Sequence, residues 1–399
     1  ERYWKGSGII MIEPKLRFKA DDGSQFPEWE EKTIDEVAEC LDNKRVPVNS
    51  EERKKRVGVI HYYGAGGIQG YIDDYLFDEE LVLLLEDGDA FDDFQTKSIA
   101  QYVTGKSWVN NHAHVLRANG NSYFLFASLE HKDIRRWTQL AGASRKKLLK
   151  DSMLKITINM PSLAEQQKIA EFLSTIDTVI EKQKETVSAW EECKKGVMQK
   201  LFSQEVRFKA DDGSDFPEWE EKKLGDICKT FSGGTPKSGE ARYYDNGTIS
   251  FIRSGEIHDD KTELRITNDG LNESSAKMVD IGDILYALYG ATSGEVDISK
   301  IKGAINQAIL CIRPLNDFNR KFIVEILRYN KETILRTYLQ GGQGNLSAQI
   351  IQSLVFDFPC VAEQQKIADC LSSLDEVIEK QKATLAAWEE LKKGLLQQM

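Results

Sequence analysis

The sequence lacks long hydrophobic runs and paired cysteines. No apolar run approaches the roughly eighteen residues that a membrane helix needs, and no basic region followed by a long hydrophobic stretch stands near the N-terminus. The six cysteines include no C-x-x-C pair, and several lie in helical patterns, where cysteine usually acts as a small apolar residue. These absences predict a cytosolic protein in a reducing compartment, without membrane contact.

Catalytic signatures are also missing. The stretch TGKS at 104–107 resembles the end of a phosphate-binding loop, but Ala100 stands where the first glycine belongs. His112 and His114 could ligate a metal, but they alternate within an apparent strand with no third ligand spaced nearby, which favours a structural role. No methyltransferase motif, dinucleotide fingerprint or nucleophile elbow is present. The sequence therefore predicts a non-catalytic chain with no metal and no cofactor.

An excess of basic charge is absent as well, since the formal net charge of the 399 residues is -11. The charge is unevenly placed, however. Residues 32–160 carry 18 Lys+Arg against 19 Asp+Glu, and residues 222–358 carry 17 against 17. The acid excess lies in the repeated segments described next, so the net charge does not exclude a local basic face that binds nucleic acid.

What the sequence does contain is an internal duplication. RFKADDGSQFPEWEEK at 17–32 returns as RFKADDGSDFPEWEEK at 207–222, with Gln25 against Asp215 as the one difference. We call these two stretches the boxes. Their near-identity indicates a duplicated frame, and it could also record recombination between homologous stretches.

A helical block at 161–196 also returns, at 359–394. In both blocks apolar residues recur in steps of four and three, which is typical of a coiled-coil seam. The seam positions are Ile169, Leu173, Ile176, Ile180, Gln183, Val187 and Trp190, and then Ile367, Leu371, Leu374, Ile378, Gln381, Leu385 and Trp388. Each block opens after a proline and predicts a helix on the order of 55–60 Å long. We expect the two helices to pair with each other; the alternative is that each packs on its own domain.

The segments 33–160 and 223–358 lie between these frames and share almost no run of identity. Their predicted elements nevertheless follow the same order. Short β-rich runs punctuated by glycine come first, helical stretches follow near 122–140 and 318–339, and a strand leads to the proline of each block. The two segments are therefore predicted to be diverged copies of one α+β domain.

The loops of both segments combine glycine and aromatic residues with basic and amide side chains. Arg and Lys can position phosphates, Asn, Gln and Arg can read base edges, and glycine lets backbone approach closely. Any one such cluster is more often a solvated loop, but their recurrence in two domains favours DNA contact. The candidate residues are Arg53, Lys55, Tyr62, Tyr63, Lys106, Trp108, Asn110, His112, Arg145, Lys146, Thr235, Lys237, Arg242, Arg253, Ser254, Tyr289, Lys302, Gln343 and Asn345.

From residue 12 to 399 the chain resembles the specificity (S) subunit of type I restriction-modification systems. Four features carry the resemblance: the paired boxes followed by TIDEV and KLGDI, the paired P-x-x-x-E-Q-Q-K-I-A helix openings at 161–170 and 359–368, the FSGGTPK and SGEI runs, and the run G-x-I-x-G-Y-I-D-D-Y-L at 66–76. Each feature alone is weak evidence, but together they are specific.

The resemblance implies an α+β fold with two target-recognition domains, separated by two long antiparallel coiled-coil helices, and an internal pseudo-twofold repeat. In this sequence the domains would be 17–160 and 205–358, and the spacer helices 161–204 and 359–399, after an N-terminal extension at 1–16. Each domain would read one half of a split, asymmetric sequence of double-stranded DNA.

The resemblance also implies partners. Two methyltransferase (M) subunits would supply the methylation chemistry and restriction (R) subunits would supply translocation and cleavage, with this chain as the assembly core. Matching frames would let two copies of one partner dock equivalently. The competing interpretation is a coiled-coil scaffold that binds proteins through its acidic frames and does not bind DNA.

Overall fold

The computed structural model describes residues 16–141, 145–339 and 345–398. The chain divides into two units. Unit 1 contains the described residues up to Glu185 and those from Ala383 onward, and unit 2 comprises Thr186–Lys382. Each long helix therefore belongs partly to one unit and partly to the other, whereas the sequence predicted each helix as a segment of its own.

Unit 1 holds twelve strands and four short helices among its described residues. The strands are β1 (Glu30–Thr33), β2 (Ala38–Cys40), β3 (Ile60–Gly64), β4 (Gly67–Ile72), β5 (Phe77–Asp78), β6 (Leu81–Leu85), β7 (Ala100–Val103), β8 (Lys106–Val109), β9 (Ala113–Ala118), β10 (Thr138–Ala141), β11 (Arg145–Leu148) and β12 (Thr157–Met160). The helices are α1 (Ile34–Val37), α2 (Ser50–Lys55), α3 (Ser122–Leu129) and α4 (Lys150–Met153). The first long helix, α5 (Leu163–Phe202), follows.

Unit 2 holds ten strands and five short helices among its described residues. The strands are β13 (Glu220–Lys223), β14 (Cys228–Ser232), β15 (Ile249–Ile252), β16 (Arg265–Ile266), β17 (Lys277–Val279), β18 (Ile284–Ala287), β19 (Val296–Ile298), β20 (Gly303–Ile305), β21 (Ile309–Pro314) and β22 (Val355–Phe358). The helices are α6 (Leu224–Ile227), α7 (Asn268–Asn272), α8 (Arg320–Tyr329), α9 (Lys331–Leu339) and α10 (Ala348–Ser353). The second long helix, α11 (Val361–Gln398), follows.

Two four-stranded sheets form the body of unit 1. One is antiparallel, with the order β2-β9-β6-β7, and the other has the order β4-β3-β8-β5, with β3 and β8 parallel. Strand β6 is buried on both faces, because Val82 and Leu84 point into one hydrophobic cluster while Leu81 and Leu83 point into another. The alternation of side chains along a strand produces this two-sided core from the continuous apolar run LVLLL.

Unit 2 repeats this topology. Its antiparallel sheet has the order β14-β21-β18-β19, and its mixed sheet has the order β16-β15-β20-β17, with β15 and β20 parallel. In β18, Ile284 and Tyr286 face one cluster while Leu285 and Ala287 face another. The prediction of two diverged copies of one α+β domain is confirmed.

Each box clamps the start of a long helix. Glu165 is fully buried and accepts hydrogen bonds from the Arg17 guanidinium (3.0 Å) and from Trp29 Nε1 (3.1 Å). The second box places Arg207 on Glu363 (2.8 Å) in the same way. A buried carboxylate is costly unless it is paired and hydrogen-bonded. The box residues and the Glu of the helix opening therefore form one structural unit, written twice.

The glutamines of each helix opening tie the domain to the helix. Gln166 Oε1 accepts from the backbone N of Asn121 at 3.1 Å, and Gln166 Nε2 donates to the Pro161 carbonyl at 2.9 Å. In unit 2, Gln364 Oε1 accepts from the backbone N of Asn319 at 2.8 Å. Asn121 and Asn319 also cap α3 and α8. The E-Q-Q motif thus fixes each domain on its helix.

The long helices span 40 and 38 residues and pair in an antiparallel manner. In unit 1, Ile180 of α5 shares a hydrophobic cluster with Trp388 of α11 and with Phe124 of the domain. In unit 2, Leu201 of α5 shares a cluster with Leu371 of α11. The early part of one helix thus meets the late part of the other. The predicted seam and the expected pairing of the helices are confirmed, and each helix also packs on its domain, as the alternative proposed.

One helix prediction is wrong in extent. The stretch 122–140 is helical only at α3, and a single helical turn at Arg135–Trp137 leads into β10. Helix α3 ends with Glu130 as its C-cap residue, and the Glu130 carbonyl accepts a hydrogen bond from Ile99 N instead of continuing the helix. The second stretch, 318–339, is helical as predicted, in two pieces that meet at Asn330. No described helix is both long enough and apolar enough to cross a membrane.

Candidate nucleic-acid interface

One end of each domain is tied to a long helix, and the loops at the other end gather many of the candidate residues. In unit 1, β9 runs from the loop at 110–112 towards the helix junction at Asn121. Its six residues, at about 3.3 Å each, separate the two ends by roughly 20 Å. In unit 2, β21 runs in the same way from the loop at 306–308 towards Asn319.

Backbone hydrogen bonds hold these loops together in unit 1. Glu86 N donates to the His112 carbonyl at 3.1 Å, and Leu148 N donates to the Glu86 carbonyl at 2.8 Å. We define the distal rim of unit 1 as residues 86–87, 110–112 and 145–148.

The same ladder recurs in unit 2. Leu288 N donates to the Ala308 carbonyl at 2.8 Å, and Leu346 N donates to the Leu288 carbonyl at 3.0 Å. We define the distal rim of unit 2 as residues 288–289, 306–308 and 345–346. Two domains of unlike sequence thus build one backbone arrangement and cover it with different side chains.

Four candidate residues lie on the distal rim of unit 1. The Asn110 side chain is 4% exposed, accepts from His112 N at 2.8 Å and donates to Gln69 Oε1, so it organises the loop. His112 is partly exposed and pairs with Asp87 at 3.0 Å. Lys146 lies on β11 and pairs with Asp92, and Arg145 begins the same strand.

A charged cluster missed at the sequence level lies beneath this rim. The Arg45 guanidinium pairs with Glu86 at 2.6 Å and with Asp42 at 3.2 Å. His114 Nδ1 faces Asp42 at 2.6 Å, and His114 Nε2 faces the Leu148 carbonyl at 2.9 Å. Although burial would raise the pKa of Asp42, His114 and Arg45 hold it below its usual value.

This cluster also bears on metal binding. One ligand atom each from Asp42, Glu86 and His114 lies within 4.8 Å of the others, as a cation site would require. The Arg45 guanidinium already supplies the positive charge between the two carboxylates. Both ring nitrogens of His114 lie within hydrogen-bond distance of protein oxygen atoms, so each already has a partner. The cluster therefore acts as a structural ion network.

Three candidates lie on the mixed sheet of unit 1, and two of them have structural roles. Tyr62 is 1% exposed, and its hydroxyl bonds to the backbone of Val48. Trp108 is 6% exposed, and its Nε1 donates to the Val46 carbonyl at 2.7 Å. Tyr63 is half-buried, and burial raises its pKa. Tyr62 and Trp108 offer no surface to a ligand, so we remove them from the contact set.

The cations around that sheet are arranged over its aromatic rings. The Arg53 guanidinium lies 4.6 Å from the centre of the Tyr62 ring, on the last turn of α2. Lys55 is exposed at the end of the same helix. The Lys106 ammonium lies 4.6 Å from the Tyr75 ring, at the end of β8 away from the rim. The structure therefore does not bring Lys106 together with Asn110.

In unit 2, Tyr289 and Asn345 lie directly on the distal rim. Thr235 joins them, because its hydroxyl donates to Gln307 Oε1 at 2.7 Å. The sequence FSGG makes this approach possible, since a Cβ on Gly233 would lie 1.8 Å from the Ile305 carbonyl oxygen. Gln343 lies outside the described residues.

Two further candidates follow β15 at the same end of the domain. Ile252, the last residue of β15, pairs with Ile305, which directly precedes the rim loop at 306–308. Arg253 and Ser254 come next along the chain, and the Arg253 guanidinium is held by Glu256 at 3.0 Å and by Glu263 at 2.5 Å. These carboxylates raise the pKa of Arg253 and fix its orientation.

The remaining candidates of unit 2 differ in position. Lys237 is exposed, and no described side chain pairs with its ammonium. Arg242 pairs with Glu273 at 2.7 Å, away from the rim. Lys302 pairs with Asp280 at 3.0 Å and precedes β20, so it lies at the strand end opposite the rim. Arg242 and Lys302 are therefore not part of the rim assembly.

Two exposed amides on the rims were missed at the sequence level. Asn111 follows Asn110, and Gln307 follows Asn306. Both pairs come directly after the parallel strand of the mixed sheet and before β9 or β21. An alignment of the two segments by strand order, instead of by identity, would have shown that Asn110-Asn111 and Asn306-Gln307 occupy equivalent positions.

Known proteins share this organisation. The family model of the type I restriction modification DNA specificity domain matches residues 27–188 and again residues 217–387. A specificity subunit of the type I restriction enzyme MjaVIII, from Methanocaldococcus jannaschii, is 25% identical over 420 residues, which cover 97% of this chain and 96% of that one. A Haemophilus influenzae protein described as a type I restriction enzyme specificity subunit is 39% identical over 157 residues, or 39% of this chain and 38% of that one.

A solved structure agrees with the fold. The crystal structure of the type I restriction-modification S subunit from M. genitalium superposes with a TM-score of 0.62 at 16% identity, over 97% of this chain and 98% of that one. The family match, in two copies, coincides with the duplicated frames and with the two equivalent domains. The chain belongs to the family of type I restriction-modification DNA specificity proteins.

Proposed function

We propose that this chain is the sequence-specific DNA-recognition subunit of a type I restriction-modification complex. Each domain reads one half of a bipartite, asymmetric target in double-stranded DNA. The observation that carries the proposal is the pair of distal rims, which share one backbone ladder and differ in their side chains. A repeated scaffold with unlike contact residues is what reading two unlike half-sites requires.

The DNA-contact set proposed for unit 1 combines residues of the distal rim with two cations of α2. Asn110 supports the loop from below, while His112, Lys146 and Arg145 belong to the rim itself. Arg53 and Lys55 on α2 are proposed as phosphate contacts, since a helix-borne cation can position the backbone of DNA without reading sequence.

For unit 2, the proposed set consists of Thr235, Lys237, Arg253, Ser254, Tyr289, Gln343 and Asn345. Lys237 has no acidic partner among the described residues, so it is free to pair with a phosphate. Arg253 is preoriented by two carboxylates, and DNA must compete with them for its guanidinium. We expect the isolated chain to bind DNA through these residues with modest affinity that falls as salt rises, and we expect the partner subunits to increase that affinity.

The frames support a scaffolding role beside DNA recognition. Arg17–Glu165 and Arg207–Glu363 make the same buried clamp, so the chain builds the same local structure at the start of each long helix. Two copies of an M subunit are proposed to dock on these frames, and R subunits to join the assembly. The chain contributes no catalytic group in this scheme, and the methyl transfer belongs to the M subunits.

Methyl transfer tests this proposal. The chain is incubated with labelled methyl donor and DNA, either alone or with its M subunit, and the modified sites are sequenced. We expect no transfer by the chain alone and transfer at one bipartite motif in the complex. Robust transfer by the isolated chain, or the same methylation by the M subunit without this chain, would contradict the proposal.

A further inference from the structure

We propose that Asn111 and Gln307 are base-reading residues that occupy equivalent positions in the two domains. This inference rests on the proposed DNA recognition and adds its specificity-determining side chains. The two amides stand at one place in a repeated scaffold, where the first domain carries Asn and the second carries Gln.

Their equivalence follows from the backbone. Asn110 Oδ1 accepts from His112 N at 2.8 Å, and Asn306 Oδ1 accepts from Ala308 N at 3.0 Å. In each domain an asparagine thus bonds to the backbone two residues ahead, which is an Asx turn. The residue enclosed by the turn, Asn111 or Gln307, is exposed.

The turn also holds the backbone beneath each amide in a fixed position. Asn110 is 4% exposed and bonded to Gln69, so the residue beneath Asn111 cannot move freely. In unit 2, Gln307 Oε1 accepts from Thr235 at 2.7 Å. A preorganised contact loses less conformational entropy on binding than a flexible one.

The chemistry of the amide suits base recognition. An amide offers one acceptor and two donors, which match the N6 and N7 positions of adenine in the major groove. Among the described residues, no side chain bonds to the Asn111 amide, and none bonds to the Gln307 amide nitrogen. By contrast, Lys146 on the rim of unit 1 and Arg253 after β15 are engaged by carboxylates. The amides are therefore the rim groups best suited to base edges.

The position of the amides supports the same conclusion. Each lies directly before the strand whose far end is tied to the long helix, so each stands roughly 20 Å from that junction along six residues. The helix junction can hold a partner subunit while the amide reaches DNA. The Gln307 side chain is one methylene longer than that of Asn111, so the amide group extends further from the backbone in unit 2 than in unit 1.

The test uses the full chain in complex with its M subunit and a DNA library randomised across both half-sites. Asn111→Ala is expected to relax discrimination at one base pair of one half-site, and Gln307→Ala at one base pair of the other. A bidentate base contact accounts for 1–3 kcal/mol, so the loss of discrimination should be about 5- to 150-fold. Asn111→Gln should change the preference at the same base pair.

Matched controls lie at the opposite ends of the same strands. Asn119 follows β9 and Asn316 follows β21, and both are exposed. Asn119→Ala and Asn316→Ala are expected to leave the motif and its discrimination unchanged.

The outcomes separate this inference from the proposed function. If wild type methylates a bipartite motif and the Ala variants at 111 and 307 keep full discrimination, base reading by these amides is overturned and the proposed function stands. If those variants lose methylation equally on all sequences, the amides position DNA without reading it, which also overturns the inference. If wild type shows no bipartite motif, both fail.

Discussion

Replacing Lys392 by Met should destabilise unit 1 strongly. The Lys392 ammonium lies 2.8 Å from Glu130 and 2.9 Å from Asp177, and the three side chains are 11%, 12% and 30% exposed. The contact with Glu130 is an ion pair without hydrogen-bond alignment. Burial opposes the charge on Lys392, but the two carboxylates outweigh it and raise its pKa. Lys392 thus joins α11, α5 and the domain through one charge.

The magnitude follows from what the substitution leaves behind. Lys392→Met leaves the buried Glu130 without its cation, while Asp177 keeps the hydrogen bond from the Tyr123 hydroxyl, and breaking a buried pair in this way costs about 3–5 kcal/mol. The equivalent residue in the first helical block, Lys194, provides the matched comparison.

Lys194 makes the same kind of triad in unit 2, at 3.1 Å from Glu325 and 2.8 Å from Asp375. Glu325, however, also pairs with Arg328 at 2.7 Å, and Asp375 is 40% exposed. Lys194→Met therefore leaves one carboxylate paired and the other partly solvated, and it should cost only about 1 kcal/mol.

Hydrogen exchange resolved by peptide measures both variants in the full chain. In Lys392→Met, amides of α3 should exchange at least about 100-fold faster, since each 1.4 kcal/mol is a factor of ten. In Lys194→Met, amides of α8 should exchange less than about tenfold faster. Equal losses in the two variants, or an unchanged α3, would refute the view that Lys392 is the sole cation of a buried triad.

Three further predictions concern charge, thiol reactivity and pH. Lys237→Ala should lower the slope of log affinity for DNA against log salt by about 0.9, as expected for one phosphate contact, whereas Lys302→Ala, at the other strand end, should not; equal slopes would remove Lys237 from the interface. Burial raises the pKa of Cys311 to about 12, so maleimide should label this thiol only in denaturant, and rapid native labelling would contradict the sheet. The Asp297 carboxylate raises the pKa of His258, so the stabilisation by this pair is complete below about pH 6.5 and is lost as pH rises through the raised pKa. His258→Gln should therefore flatten the dependence of the melting temperature on pH over that window. An unchanged slope would contradict the pairing.

The sequence predicted those features of the fold that repeat locally. Steps of four and three marked the seam at Ile180 and Leu371, and β-rich runs punctuated by glycine marked the strand regions of both domains. The duplicated boxes indicated a repeated frame, but the contact of Arg17 with Glu165, far along the chain, was visible only in the structure. Such periodic patterns depend only on the residues near each position.

The site was harder to predict because burial and ion pairing are properties of the folded chain. In IHYYG, aromatic side chains stand on both faces, so composition alone could not separate buried Tyr62 from half-buried Tyr63. Arg242 seemed a phosphate ligand by residue type, yet Glu273 binds it. Asn111 was overlooked because an exposed amide becomes informative only beside its equivalent in the other domain.

Exchanging the first recognition domain tests the central claim most directly. Residues 32–160 are replaced by the corresponding segment of a related specificity subunit, and the methylome of cells carrying the M subunit is sequenced. The account predicts that one half of the bipartite motif changes while the other half stays the same, because the two units present separate rims on repeated frames. A change in both halves, or an unchanged motif, would contradict independent recognition by the two domains.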